Sequence, residues 1–271
     1  VSITGASKST VEEDRMGLEL SGAGVVVTGG GAGIGAALAR RFAAAGARVV
    51  VNDLDAEKAA AVAAEIGGFA VPGDAASVEG VEALITTAAA YLGAIDLYCA
   101  NAGVGGAPSL EDEAGWELAW NVNVLAHVRA ARALLPGWLE RGRGHFLATV
   151  SAAGLLTMLG APAYSVTKHG ALAFAEWLSA TYGDKGVTVQ ALCPQGVRTA
   201  MMEAAGKAGE VLLAPSAIDP DDVADTVMSA LDDGRFLILP HPEAAEYYAA
   251  RAAQPDLWLA SMRKLQAAIE E

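Results

Sequence analysis

Cysteine is nearly absent. The 271 residues hold two, Cys99 and Cys193, far apart and each inside an apolar stretch. That excludes a disulfide framework and fits buried free thiols in a reducing cytosol. Histidine is also scarce. His127, His145, His169 and His241 show no HxxxH spacing and no cysteine-rich neighbourhood, so no metal site is expected. Charged residues make up only 18% of the chain, and the basic ones are outnumbered: 18 Lys and Arg against 32 Asp and Glu leave a net charge of −14. Such a surface repels polyphosphates, so nucleic acid is not an expected partner. No apolar run approaches the roughly 18 to 20 residues of a membrane span, so no membrane partner is expected either. The opening segment VSITGASKSTVEEDRM lacks the basic start and apolar core of a signal peptide. Residues 1–17 read as a polar extension, with Met16 as an alternative start. The expected location is cytoplasmic.

What is present is an alternation. Short β-rich apolar runs occur at Gly24–Thr28, Ala47–Asn52, Phe69–Val71, Ile95–Ala100, His145–Val150, Val187–Leu192 and Phe236–Leu239. Between them lie helical patterns: one ending near Ala45, then Ala56–Ile66, Ser77–Leu92, Trp116–Glu140 and Ala163–Tyr182. A further helix starts at Asp219-Pro220, the arrangement of an N-cap followed by an N1 proline. Residues 243–271 form a helical tail interrupted near Pro255. The strand runs are continuously apolar, as in strands buried on both faces. The pattern predicts an α/β chain: a single Rossmann-type doubly wound domain over 18–271, with a seven-stranded parallel sheet and helices on both faces.

The first strand runs into Thr28-Gly29-Gly30-Gly31-Ala32-Gly33-Ile34-Gly35, which opens a helix. Glycines there permit a tight turn and close backbone approach to a pyrophosphate, and the helix N-terminus offers free N–H groups to the anion. Gly29, Gly31, Gly33, Ile34 and Gly35 are therefore candidate cofactor contacts. Asp53 ends the second strand, where a carboxylate accepts both adenosine ribose hydroxyls and repels a 2′-phosphate. No Lys or Arg occupies the glycine turn, so NAD is expected over NADP. Asp55 is the better cap for the following helix.

Tyr164 and Lys168 are four residues apart on a predicted helix and share one face. An ammonium beside a phenol favours the phenolate, which makes tyrosine usable as an acid or base nearer neutral pH. Ser151 ends a strand shortly before them, and Asn123 lies upstream.

With these residues the chain resembles the short-chain dehydrogenase/reductase family, in its branch of chains of about this length. The likeness runs from about Gly17 to Leu239. It includes the glycine turn at 28–35, Asp53, Asp74, Asn101-Ala102-Gly103, Asn123, Ser151, Tyr164-Ser-Val-Thr-Lys168 and Pro194-Gln195-Gly196-Val197-Arg198-Thr199. The resemblance implies roles. Tyr164 would be the general acid/base, and Lys168 would bind the nicotinamide ribose and lower the tyrosine pKa. Ser151 would hold the substrate oxygen, and Asn123 would anchor a relay water. Asp74 would reach the adenine and Asn101 would support the sheet beside the cofactor, with Ala102 and Gly103 next to it. Pro194, Val197 and Thr199 would line the nicotinamide. One departure stands out: the family's Pro-Gly is Pro194-Gln195 here, which alters the loop beside the nicotinamide.

The resemblance also implies a homotetramer, built through the helices near 116–140 and 163–182. The expected partner is a small-molecule substrate. Three segments at strand ends would shape its pocket: 104–107, 152–159, and a lid near 200–216. None carries Arg or Lys close to the reacting carbon, Lys207 lying further along the lid. That favours a neutral hydrophobic secondary alcohol or ketone. The tail, with Tyr247, Tyr248 and Trp258, reads as a packing or oligomer helix. Competing functions are an NAD-dependent epimerase or dehydratase, and a non-catalytic NAD-binding sensor or scaffold.

Overall fold

The computed structural model describes residues 17–270. The expectations for residues 1–16, including a start at Met16, lie outside the described residues. Among those described, seven parallel strands form one sheet in the order β3-β2-β1-β4-β5-β6-β7. They are β1 Gly24–Val27, β2 Arg48–Val51, β3 Phe69–Ala70, β4 Leu97–Ala100, β5 Gly144–Thr149, β6 Val187–Leu192 and β7 Leu237–Ile238. The order reverses between β1 and β4, so a crevice opens at their carboxyl ends, where ligands bind in open α/β sheets.

Side chains alternate along each strand, and each face is covered by helices. Val26, Tyr98 and Phe146 share one apolar layer with Leu84, Trp138 and Leu178. Those three come from helices α3 (Val78–Leu92), α5 (Ala126–Arg141) and α6 (Pro162–Tyr182). Val25, Val27 and Leu147 share the opposite layer with Leu38, Val62 and Val227. These belong to α1 (Gly33–Ala44), α2 (Ala56–Ile66) and α9 (Pro220–Asp233). Both cysteines are buried and free.

Local chemistry sets several boundaries. Asp55 caps α2, its carboxylate accepting from the amides of Glu57 and Lys58 at 3.1 Å each. Gly67 ends that helix in the left-handed conformation at φ 64°. At the start of α9 the Asp222 carboxylate accepts the Asp219 N–H at 3.0 Å. Strand β4 starts two residues later than the apolar run, and the Ile95 carbonyl before it accepts from Trp138 Nε1 at 2.8 Å and from Arg141 at 3.0 Å.

The expected long helix over 116–140 is present, and it contains a π turn. Helix α4 (Glu113–Trp120) passes into a π turn, Asn121–Leu125, before α5 begins. There the Ala126 N–H reaches back five residues to the Asn121 carbonyl. Hydrophobic periodicity does not register one extra residue in a turn, and such bulges gather at functional sites. Residues 200–216 form two short helices, α7 (Ala200–Glu203) and α8 (Gly206–Leu212), and a 3-10 turn at Ala214–Ser216. The tail forms α10 (Glu243–Ala253) and α11 (Pro255–Glu270). No described helix is long and apolar enough to cross a membrane.

Candidate active site

The glycine turn is built so that side chains do not fit. A Cβ on Gly35 would lie 2.2 Å from the Gly29 carbonyl oxygen, and one on Gly31 would lie 2.8 Å from Asp53 Oδ2. Gly29 also adopts φ +60°. Ala32 precedes α1 and offers no capping side chain. The first-turn amides of α1 therefore keep their protons for an anion. Ile34 packs against the apolar layer beneath β1. Asp53 Oδ2 accepts the Gly31 N–H at 2.9 Å, and Oδ1 accepts the Asp55 N–H at 3.0 Å. This cradle fits a dinucleotide: bare backbone for the phosphates, with a carboxylate one step away.

Asn52 Nδ2 donates to the carbonyls of Val71 and Gly73, and the Gly73 N–H donates to the Asp53 carbonyl. These bonds fasten the chain that leads into Asp74 to the end of β2. Desolvation opposes its ionisation, but the Ala76 and Ser77 donors outweigh it and hold the carboxyl below its usual range.

Asn101 ties three strand ends together. Its Nδ2 donates to the Thr28 carbonyl at 2.9 Å, and its Oδ1 accepts from Thr149 Oγ1 at 3.1 Å. Thr28 Oγ1 accepts the amide protons of Asn101 and Ala102. The Thr149 carbonyl in turn accepts from Lys168 Nζ at 2.9 Å. Lys168 lies 5.6 Å from the Tyr164 ring centre, one turn along α6. A Cβ on Gly103 would lie 3.3 Å from Asn123 Oδ1 and 3.5 Å from Lys168 Nζ, so Asn123 and Lys168 flank the same glycine.

Asn123 is fully buried in the π turn. Its Oδ1 accepts the Val104 N–H, while Nδ2 donates to the Val104 carbonyl and to Thr167 Oγ1. The side chain is committed to clamping the 104 loop onto α6. Only its backbone is left to serve a water. Ser151 Oγ accepts the Ala153 N–H at 3.0 Å and lies near enough to the Tyr164 phenol to lower its pKa.

Burial is the first influence on both Tyr164 and Lys168. Burial pushes the Tyr164 phenol up, and the Ser151 hydroxyl is what pulls it back. Lys168 is itself pushed down to about 8 by burial. Its Nζ donates to the Thr149 carbonyl and lies over the Tyr164 ring.

The segment after β6 closes the site. The Pro194 carbonyl accepts the Ala152 N–H at 2.8 Å. Val197 is buried and bridges to Ile218. Thr199 Oγ1 donates to the Val197 carbonyl, and Thr199 Cγ2 would stand 3.1 Å from a Cβ on Gly33. Further on, Ala208 approaches Gly160, at 3.5 Å from a Cβ built there. Residues 200–216 thus reach from the glycine turn to the loop after Ser151.

Two residues of this region had no sequence signal. His241 accepts the Gln195 N–H on Nδ1 at 3.1 Å, and its Nε2 meets the Ser216 carbonyl at 3.1 Å. Arg251, from α10, donates to the Leu155 carbonyl and to His169 Nε2. A lone histidine after a strand and an arginine on a polar helix face carry no spacing that marks them. The tail is thereby fastened to the loop after Ser151, and α11 packs against α8.

Comparison with known proteins agrees with this geometry. A model of the short chain dehydrogenase family matches residues 23–209. The 1-deoxy-11-beta-hydroxypentalenate dehydrogenase of Streptomyces exfoliatus is 38% identical over 236 residues, covering 81% of this chain and 83% of that protein. Momilactone A synthase of Oryza sativa subsp. japonica is 33% identical, covering 86% of this chain and 91% of its own length. Among solved structures, a short chain dehydrogenase/reductase from Burkholderia phymatum in complex with NAD superposes with a TM-score of 0.83 at 26% identity, covering 89% and 96% of the two chains. The chain belongs to the short-chain dehydrogenase/reductase family. It is an oxidoreductase that acts on alcohols with a nicotinamide cofactor.

Proposed function

We propose that the protein transfers hydride between NAD(H) and a neutral, hydrophobic secondary alcohol or ketone, with Tyr164 as general acid/base. The observation that carries this reading is the cluster of Tyr164, Ser151 and Lys168 beside a glycine cradle that Asp53 borders. In the oxidative direction Ser151 holds the carbinol oxygen and the Tyr164 phenolate takes its proton. Lys168 binds the nicotinamide ribose, and the Asn123 carbonyl anchors a water behind it. The bound nicotinamide supplies the carbon that accepts hydride.

Cofactor recognition is divided along the crevice. Gly29, Gly31, Gly33, Ile34 and Gly35 surround the pyrophosphate, Asp53 takes the adenosine ribose, and Asp74 takes the adenine. Asn101, Ala102 and Gly103 support the middle of the dinucleotide. Pro194, Val197 and Thr199 border the nicotinamide, and residues 200–216 act as the lid. Asp53 is the ground for NAD over NADP. A relative named for a hydroxypentalenate, itself a carboxylate, supports a hydroxylated carbon skeleton as substrate but not its neutrality. The pocket segments 104–107 and 152–159 carry no cation, which supports a neutral one.

The test is an NAD-reduction screen across neutral hydrophobic alcohols and matched hydroxy acids. Faster turnover of hydroxy acids or sugar phosphates than of every neutral alcohol would sink the substrate reading. The proposed assembly is a homotetramer, supported by apolar residues left exposed on α4 to α6.

A further inference from the structure

The loop after Ser151 is held from outside at two points. Ser165, the residue after Tyr164, clips Met158: its Oγ accepts the Met158 N–H at 3.0 Å. Arg251 Nη1, from the tail, donates to the Leu155 carbonyl. The second proton of the same Nη1 is directed at His169 Nε2, 3.1 Å away. The other imidazole nitrogen, His169 Nδ1, meets the Ser165 carbonyl at 2.9 Å. One contiguous set of bonds thus joins α6, the loop and α10. Helix α11 carries the connection on to α8, in the 200–216 segment. The tail therefore ties together two of the segments that border the substrate.

These partners fix the chemistry of His169. A carbonyl oxygen only accepts, so Nδ1 must carry the proton. A guanidinium only donates, so Nε2 must present a lone pair. The neutral Nδ1–H imidazole meets both demands. The imidazolium cannot: it turns an N–H toward the Arg251 N–H and sets two positive charges 3.1 Å apart. No counter-charge relieves them, since neither residue enters an ion pair among the described residues. Lys168, the neighbour of His169 on α6, is engaged elsewhere, with Nζ on the Thr149 carbonyl. Both His169 and Arg251 are half-buried, so solvent protons reach them.

Resting on the dehydrogenase reading above, we infer that His169 is a positioning residue for the substrate alcohol: as a neutral acceptor it holds Arg251, and with it the tail, against the loop that follows Ser151. Histidine changes charge between pH 5 and 8. Acid therefore removes the acceptor, Arg251 withdraws, and the loop loses its outer support. Alcohol binding weakens while the cofactor cradle, on the other side of the crevice, is untouched.

The experiment measures KM for the fastest alcohol of the screen above, with NAD saturating, at pH 8 and pH 5. It compares the wild type with His169→Gln, His169→Leu, Arg251→Ala and the double variant His169→Leu/Arg251→Ala. KM for NAD is followed in parallel. In the wild type, KM for the alcohol should rise several-fold at pH 5, with KM for NAD unchanged. His169→Gln offers an amide proton to Ser165 and an oxygen to Arg251 but does not titrate, so its KM should stay low at both pH values. His169→Leu should show a several-fold higher KM at both, with kcat at pH 8 unchanged. The double variant should be no worse than either single one, because the two residues form one contact. Tyr164 titrates in every variant alike and does not separate them. An acid rise as large in His169→Gln as in the wild type, or additive losses in the double variant, would overturn the inference. So would a wild-type KM that is the same at pH 5 and pH 8. Should His169→Leu fail to fold, the comparison of wild type with His169→Gln still decides. Each of these results leaves hydride transfer standing. Absence of NAD reduction with any alcohol of the screen defeats the inference together with the dehydrogenase reading.

Discussion

The carboxylate of Asp53 accepts the amide proton of Gly31 at 2.9 Å. The acid at the end of the second strand and the glycine turn after the first therefore form one continuous surface. A ribose seated there meets the carboxylate directly, and a 2′-phosphate meets its charge. We expect kcat/KM to favour NAD over NADP by at least about tenfold, or roughly 1.4 kcal/mol. Asp53→Ala should narrow that ratio by weakening NAD rather than by improving NADP. Steady-state kinetics with both cofactors decide it, and equal use by the wild type would refute the assignment.

Tyr164→Phe keeps the ring and removes the proposed proton carrier. Turnover should fall by about 10² to 10⁴, the usual worth of a general acid/base. NADH binding, followed by fluorescence, should persist. Burial raises the Tyr164 pKa, so its base form is scarce at neutral pH and increases as pH rises. Alcohol oxidation should therefore climb through the alkaline range, while ketone reduction, which needs the phenol, should not. A flat oxidation profile between neutral and alkaline pH would count against Tyr164 as the base.

Two buried imidazoles contribute to the loss of stability in acid. Burial pushes His127 down to about 3 and His145 down to about 4. Unfolded histidine titrates near about 6.5. Between those values the unfolded chain binds protons that the folded one refuses, so stability is full above the unfolded pKa and declines as pH falls through the window. His127 has no partner for either ring nitrogen among the described residues, whereas His145 Nε2 meets Gln190 Oε1 at 2.8 Å. His127→Leu should therefore raise Tm at pH 5 more than at pH 8, by a few degrees per kcal/mol. His145→Leu should raise it less at pH 5 and lower it at pH 8, because it leaves the Gln190 oxygen unmatched. The opposite ranking in thermal melts would rule out this account.

Leu118, Trp120, Leu139, Val166 and Trp177 are large apolar side chains left exposed on α4 to α6. Trp120 also reaches α6, its ring lying 3.6 Å from a Cβ built on Gly170, so these helices present one joined surface. Closed symmetric pairing would cover it. Light scattering should give the mass of four chains, and Trp177→Glu should reduce it. A wild-type monomer at micromolar concentration would exclude the tetramer.

Arg251 joins the tail to the loop that follows Ser151 by way of Leu155 and His169. Arg251→Ala should loosen that loop and raise KM for the alcohol several-fold, with little change in KM for NAD. An unchanged KM for the alcohol would leave the tail as packing alone.

Much of the site was legible because its chemistry is local. A turn that admits no Cβ declares itself as a run of glycines, and Tyr164 and Lys168 share a face because four residues make about one helical turn. The cap at Asp55 and the break at Pro255 follow from the same short-range rules. The π turn at Asn121–Leu125 was not legible, since one additional residue in a turn leaves the apolar pattern almost intact. Nor were the bonds from Trp138 and Arg141 to the Ile95 carbonyl, more than forty residues away in the chain.

The sequence by itself determined the alternation of strands and helices, the cradle from Gly29 to Gly35, and the side-chain chemistry available at Ser151, Tyr164 and Lys168. These depend on neighbours within a turn or two, where spacing and geometry are nearly the same thing. The tertiary structure alone decided that Lys168 is tethered to Thr149, that Asn123 spends its side chain on Val104, and that His241 and Arg251 reach the rim of the site. It also decided that burial raises the Tyr164 pKa. Desolvation and long-range hydrogen bonds arise from what the folded chain brings together, and no spacing along the chain records them.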